Sequence, residues 1–229
     1  MANIADIVRD DIVAFLESNE ELLFNERDLQ MHLATWLRKS KKSYDDVDVE
    51  YYVPWEELGK DTSGEYKYIW KSELRLDIVV KKDGEYCPVE LKYKTKKVER
   101  KISRFNEELS DEVIIMKNQG AQDLGMYDFW KDVRRIELVK NRFKSVKGGL
   151  VLFLTNDHFY KKSSKEKSNH FFFNMTGGEH DTNKHWKRED SRCAQMKAYK
   201  SFDVERKYTI HWHDIVIDKE IFYYCIVNI

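Results

Sequence analysis

Two carboxylates and a lysine have the types and spacing to do chemistry. Asp77 lies in Leu74-Arg75-Leu76-Asp77-Ile78-Val79-Val80, and Glu90 and Lys92 lie in Pro88-Val89-Glu90-Leu91-Lys92. Between these alternating runs stands Asp83-Gly84, a dipeptide suited to a two-residue type I′ hairpin because both central residues need φ > 0. With Lys82 facing Glu85, the pairs run Lys81/Tyr86, Val79/Pro88, Asp77/Glu90 and Arg75/Lys92. Pro88 then falls at a non-hydrogen-bonded site, where it costs the ladder no donor. This register sets the Asp77 and Glu90 Cβ atoms about 4.5 to 5.5 Å apart. Two carboxylates at that distance repel by roughly 3 kcal/mol at an effective dielectric of about 20. A divalent cation between them removes the cost, and Mg²⁺ favours one or two carboxylates, several waters and a substrate phosphate. Lys92 projects from the same face, where an ammonium stabilises charge developing at phosphorus or orients the attacking water. The same letters also describe the solvated face of an ordinary hairpin in a charge-rich chain.

The elements that must position these residues follow from periodicity. Apolar residues from Ile4 to Leu16 recur at helical spacing, and a second helix begins near Asn25, its N-cap, with Leu29, Leu33, Trp36 and Leu37 as its stripe. Val47 to Val53 reads as a strand stopped by Pro54, and residues 56–66 as a loop. In the hairpin, alternation predicts one apolar face of Leu74, Leu76, Ile78, Val80, Cys87, Val89, Leu91 and Tyr93. The opposite face carries Arg75, Asp77, Val79, Pro88, Glu90, Lys92 and Lys94. Residues 105–117 read as a mixed, helical segment. A longer helix is expected from about Gln119 to Lys140, with Gln122, Met126, Phe129, Val133 and Ile136 on one face. Leu150 to Leu154 is a continuous apolar run, as in a strand buried on both sides and reached by a helical crossover. Further strands are expected at His170 to Met175, Lys207 to Ile217 and Ile221 to Val227.

The order helix, three strands, helix, strand, with an acid on the second strand and acid-x-Lys on the third, resembles the PD-(D/E)XK, or restriction-endonuclease-like, nuclease superfamily. The resemblance covers about residues 20–157, and Leu76 stands where the motif has proline. It implies an α/β fold with an αβββαβ core, a mixed β-sheet flanked by helices, here followed by additional C-terminal strands over residues 158–229. It further implies Mg²⁺- or Mn²⁺-dependent hydrolysis of a nucleic-acid phosphodiester, with DNA the expected substrate. Asp77 and Glu90 would hold the metal, and Lys92 would assist the water. Glu26, in Asn25-Glu26-Arg27-Asp28-Leu29-Gln30, matches the glutamate that many members place on the first core helix, as a further metal ligand or a supporting acid. Gln122, with Gln119 as the alternative, matches a glutamine that some members carry after the third strand, to orient Lys92 or bind phosphate.

The cations Lys94, Lys96, Lys97, Arg100, Lys101 and Arg104 follow the motif strand and are the expected phosphate contacts, which would make binding salt-dependent. Lys161, Lys162, Lys165 and Lys167 form a weaker second group. The whole chain has 229 residues, 41% hydrophobic and 35% charged, with 40 Lys+Arg against 41 Asp+Glu. This suits one soluble domain over residues 1–229, and excludes a histone-like polycation. The balance conceals a gradient, with 15 acids and 7 bases in residues 1–61 but 6 acids and 12 bases in residues 140–192. No apolar run is long enough for a membrane span and no signal sequence opens the chain, so the cytoplasm is the expected compartment. Cys87, Cys193 and Cys225 lack paired spacing and read as buried thiols. His211-x-His213, and His180 with His185 and Cys193, would make only weak zinc sites. Two rival readings use the same fold: a catalytically silent module that binds nucleic acid or a partner protein, and an accessory subunit of a defence or repair assembly. A homodimer is compatible with either.

Overall fold

The computed structural model describes residues 3–59, 63–65 and 67–229. Helix α1 (Ile4–Ser18) is capped by the Asn3 side chain, which accepts from the Ala5 amide, and α2 (Glu26–Arg38) by Asn25, which accepts from the Asp28 amide. Strands β1 (Asp46–Val53), β2 (Leu74–Lys82) and β3 (Glu85–Lys94) follow. Helix α3 (Gln122–Arg142) then leads to β4 (Leu150–Thr155), and the chain ends in the hairpin β5 (His213–Ile217) and β6 (Glu220–Asn228). These strands form one six-stranded sheet in the order β1-β2-β3-β4-β6-β5. Only β3 and β4 run parallel, joined by the α3 crossover, so the sheet is mixed and the protein is of the mixed α/β class. Among the described residues, no helix is long and apolar enough to cross a membrane.

Two apolar cores flank the sheet. On one side α1 and α2 pack over Ile78, Val80, Cys87, Val89, Leu91 and Leu152. On the other, α3 places Phe129, Val133 and Ile136 against Val79, Val151 and Phe153. The hairpin register agrees with the sequence from Lys82/Glu85 to Ile78/Val89, including Val79 opposite Pro88. Its second face is not solvated, because Val79, Pro88 and Glu90 are all buried.

The predicted continuous apolar face is interrupted at Asp77. Leu74 and Leu76 pack in the α3-side core, whereas Ile78 and Val80 pack on the α1/α2 side. Strand β1 makes the same change opposite, with Val47 and Val49 on the α1/α2 side and Val53 on the α3 side. Between them Glu50 has a left-handed φ of 52°, and the β1–β2 pairing skips Glu50 and Asp77 while keeping its register on both sides. One left-handed residue turns the strand over, so alternation is preserved in each half but changes phase between halves.

Several expected elements differ. Residues 105–117 are not helical: Ser103–Arg104 pairs with Glu107–Glu108 around a Phe105-Asn106 turn with both φ positive, and Val113–Met116 pairs with Val98–Arg100. His170 to Met175 contains a 3-10 turn at Phe171–Phe173 rather than a strand. Lys207 to Ile217 divides into Tyr208–Ile210, which pairs with Gly178–His180, and β5 in the main sheet. In the expected loop, Trp55–Leu58 forms a 3-10 turn, and residues 60–62 and 66 lie outside the described residues. Cys87 and Cys225 are buried thiols, but Cys193 is only half-buried.

The approach of α3 to the sheet is set at Gly149. A Cβ there would meet Ile136 Cγ2 at 2.3 Å and Pro88 Cγ at 3.1 Å. Gly149→Ala is therefore expected to lower stability by about 1–3 kcal/mol through overpacking, checked by urea unfolding.

Candidate functional site

The site lies where β2, β3, α2 and α3 converge. Beyond Ile78/Val89 the ladder stops, so Asp77/Glu90 and Arg75/Lys92 are not ladder partners as the register predicted. Instead the Asp77 carboxylate accepts the Leu91 amide at 2.6 Å, replacing a main-chain bond with a side-chain one. The Asp77 carbonyl, freed on the other edge, accepts Gln30 Nε2 at 2.7 Å, and the same amide reaches Glu50 Oε1 at 3.1 Å. Gln30 thus closes the interruption in β1 and β2. Arg75 turns away, bonding Glu73 at 2.6 Å and lying over the Tyr52 ring.

Glu90 is 2% exposed and close enough to Asp77 for the two carboxyls to influence each other's charge, while its Oε1 is buried without a partner. Glu26, in the first turn of α2, accepts the Tyr93 amide at 2.9 Å and stands 3.9 Å from Lys92 Nζ. The Lys92 ammonium donates to the Leu91 carbonyl at 2.8 Å and lies 2.8 Å from Asp132 Oδ2. Asp132 is 1% exposed, and its other oxygen takes Arg135 Nη1 at 3.1 Å. Asp128, a turn before Asp132 on α3, and Lys131, next to it in sequence, complete the charged layer.

The structure therefore brings Asp77, Glu90, Lys92 and Glu26 into one cluster, though not through the predicted Asp77/Glu90 ladder pair. Gln122 is not with them: it donates to Asp157 Oδ2 at 3.3 Å, at the end of β4, and its expected place beside Lys92 is taken by Asp132. Gln119 gives its main-chain amide to the Thr95 carbonyl. Asp132 carried a readable signal, since it stands three residues after Phe129 and four before Ile136, an acid on the apolar face of α3. Glu50 and Gln30 had none of comparable clarity, because their roles depend on the strand interruption.

The basic stretch is structured and partly neutralised. Lys96 pairs with Asp157 at 3.1 Å, Lys97 with Glu99, and Arg100 with Asp218. Arg104 lies over the Phe24 ring, while Lys101 is exposed and Lys94 half-buried. The imidazoles are dispersed: His180 bonds the Thr176 carbonyl, His185 pairs with Asp203 and His213 stacks on Tyr224.

Burial dominates the site's acid–base behaviour. It pushes Asp77 up to about 6 against the opposing pull of Lys92 and the Leu91 amide. Burial, with Asp132 and Asp77 nearby, raises Glu90 well above the ordinary glutamate range. Burial also acts to discharge Lys92, but Asp132, Glu26, Glu90 and Asp77 together hold its pKa above the usual lysine value. Lys131, buried beside Arg135, is brought down to about 8. Five carboxylates (Glu26, Asp77, Glu90, Asp128, Asp132) thus face three cations (Lys92, Lys131, Arg135), leaving an excess of negative charge that protons or a divalent cation can balance.

Among the described residues, no three His, Cys, Asp or Glu side chains form a group that could hold a metal ion. The acidic pair still fits Mg²⁺ or Mn²⁺, which need only one or two protein carboxylates with waters, and the unpartnered Glu90 Oε1 is the atom such an ion would satisfy. No protein-family model, curated protein sequence or solved structure matches this chain.

The raised Asp77 pKa has a sign. The folded state binds the proton more tightly than the unfolded state, so the associated stability is present below about pH 4 and lost as pH rises through about 6. Without divalent metal, the wild-type Tm should fall relative to that of Asp77→Asn between pH 4 and 7, measured by thermal unfolding across that range.

Proposed function

We propose that this protein is a metal-dependent nuclease of the restriction-endonuclease-like class, hydrolysing nucleic-acid phosphodiesters, with DNA as the expected substrate. The observation that carries the reading is the pairing of half-buried Asp77 with buried Glu90, one oxygen of which is unpartnered, beside the charged Lys92 ammonium. The order of α2, β1, β2, β3, α3 and β4, with β3 and β4 parallel, supports the fold assignment. Three free cysteines suit the reducing cytoplasm as the site of action.

In this reading Asp77 and Glu90 would hold Mg²⁺ or Mn²⁺, which supplies Lewis-acid activation of the phosphate and of a bound water. The Leu91 amide fixes one carboxylate oxygen of Asp77 and leaves the other free of it. Glu26 is committed to the Tyr93 amide and the Lys92 ammonium, so it supports the lysine from α2. Lys92, charged throughout the physiological range, lowers the energy of negative charge developing beside the acidic pair. Incubation with Mg²⁺ or Mn²⁺ and single-stranded, double-stranded and branched substrates is the test. Asp77→Ala and Lys92→Ala should each reduce cleavage by about 100-fold or more. Cleavage that survives in both variants overturns the assignment.

The silent binding module is favoured by a different observation: Lys96, Lys97 and Arg100 already have acidic partners, and Lys92 is only 14% exposed. That reading predicts salt-sensitive nucleic-acid binding, unchanged by EDTA, with no cleavage of any substrate in the panel. As an accessory subunit, the protein would cleave only after its partner is added.

A further inference from the structure

The Lys92–Asp132 contact joins the sheet to α3 at the level of the acidic pair, and nothing in the proposed nuclease motif requires an acid at that position of α3. The lysine side chain has four rotatable bonds and would sample many positions if its head were free. Here the ammonium forms an ion pair with Asp132 Oδ2 at 2.8 Å, outside hydrogen-bond alignment, and donates to the Leu91 carbonyl at 2.8 Å, with Glu26 at 3.9 Å on a third side. Asp132 is itself fixed: it is 1% exposed and its Oδ1 is held by Arg135, whose guanidinium lies over the Tyr68 ring.

Stability alone is a poor reason for this arrangement. Removing two charges from water is costly, and apolar side chains of similar volume stabilise a core as well or better than a buried ion pair. The surrounding α3 surface offers such packing, with Phe129, Val133 and Ile136 fully buried around Asp132. What an ion pair provides and an apolar pair does not is a charged atom at a fixed place. The other charged groups around Lys92 are Glu26 from α2, Asp77 and Glu90 from the sheet, and Asp128, Lys131 and Arg135 from α3. Of the acids, Asp132 alone reaches the ammonium within 3 Å.

We propose that Asp132, braced by Arg135, is the positioning residue for Lys92, setting where its ammonium meets a phosphate held at the Asp77/Glu90 pair. The proposal rests on the nuclease reading. The experiment is steady-state cleavage in Mn²⁺ by the wild type, Asp132→Asn, Asp132→Glu, Lys92→Met and the Asp132→Asn/Lys92→Met double variant, with thermal unfolding to confirm that each is folded. Misplacement of a catalytic group by about 1 Å costs on the order of 100-fold in rate. Asp132→Asn should lower kcat by about 10- to 100-fold with KM little changed, and should add nothing in the Lys92→Met background. Asp132→Glu keeps the charge and should fall between wild type and Asp132→Asn, which preserves the test if Asp132→Asn does not fold.

A second readout is the ¹⁵N signal of the Lys92 ammonium, which slow hydrogen exchange makes visible when the group is held. It should be present in the wild type and lost in Asp132→Asn. Full activity in both Asp132 variants, an equal further loss in the Lys92→Met background, or an unchanged ammonium signal overturns the positioning role. A wild-type chain that retains the signal but cleaves nothing overturns the nuclease reading, and with it any part for Asp132 in catalysis.

Discussion

Carboxylates and cations are packed together between α3 and the sheet, where neither sign is easily left alone. Glu90 and Asp132 are almost completely buried, and each unpaired charge there would carry several kcal/mol of desolvation. The need to offset these charges constrains the elements around them. Asp132 must meet Lys92, so α3 must lie at one height over β3. The Leu91 amide must turn to Asp77, so the β2–β3 ladder must stop there.

The rest of the fold can be understood as support for that arrangement. Gly149 lets Ile136 and Pro88 close over β4 without an intervening side chain, bringing α3 near the sheet. On the outer side of α3, the chain after β4 wraps the helix with aromatic rings. Tyr127 stacks on Trp186 at 5.6 Å and donates to the Lys200 carbonyl, while Trp130 donates to the Phe173 carbonyl. Tyr208 and the Glu205 amide both bond Glu137 near the helix's other end. The segment after β4, which offered only weak cation and zinc candidates in the sequence, therefore helps hold α3 in place. From the opposite side, α2 delivers Glu26 at its N-terminus, where the helix dipole favours an acid, and Gln30 one turn later to the backbone of β2.

The sequence was most legible where chemistry and local geometry coincided. Asp83-Gly84 with Pro88 specified the hairpin register as far as Ile78/Val89, which sets Asp77 and Glu90 near each other, and Asn25 specified the start of α2, whereas Glu26 was linked to them only by the resemblance. It was least legible where long-range packing overrides local pattern. Alternation through Leu74, Leu76, Ile78 and Val80 gives no sign that the strand changes phase at Asp77, which lies opposite the left-handed Glu50 of a neighbouring strand where their pairing is skipped. Gln122 matched a motif by position along the chain, yet Asp157 at the end of β4 takes its side chain. The charged segment 105–117 resembled a helix in composition, whereas its pairing partners lie within Val98–Glu108.

The turnover at Glu50 and Asp77 has a mechanical consequence for the molecule as a whole. Because β1 and β2 each send residues into both cores, neither core belongs to one set of elements. Loosening α1 and α2 from the sheet frees the halves of these strands whose other ends are embedded beneath α3, and the reverse is equally true. The sheet thus joins its two faces as one unit of cooperativity. Opening that stays confined to one side would have to pivot at the left-handed residue and part the Gln30 bonds, which places the weakest point for such motion beside the acidic pair.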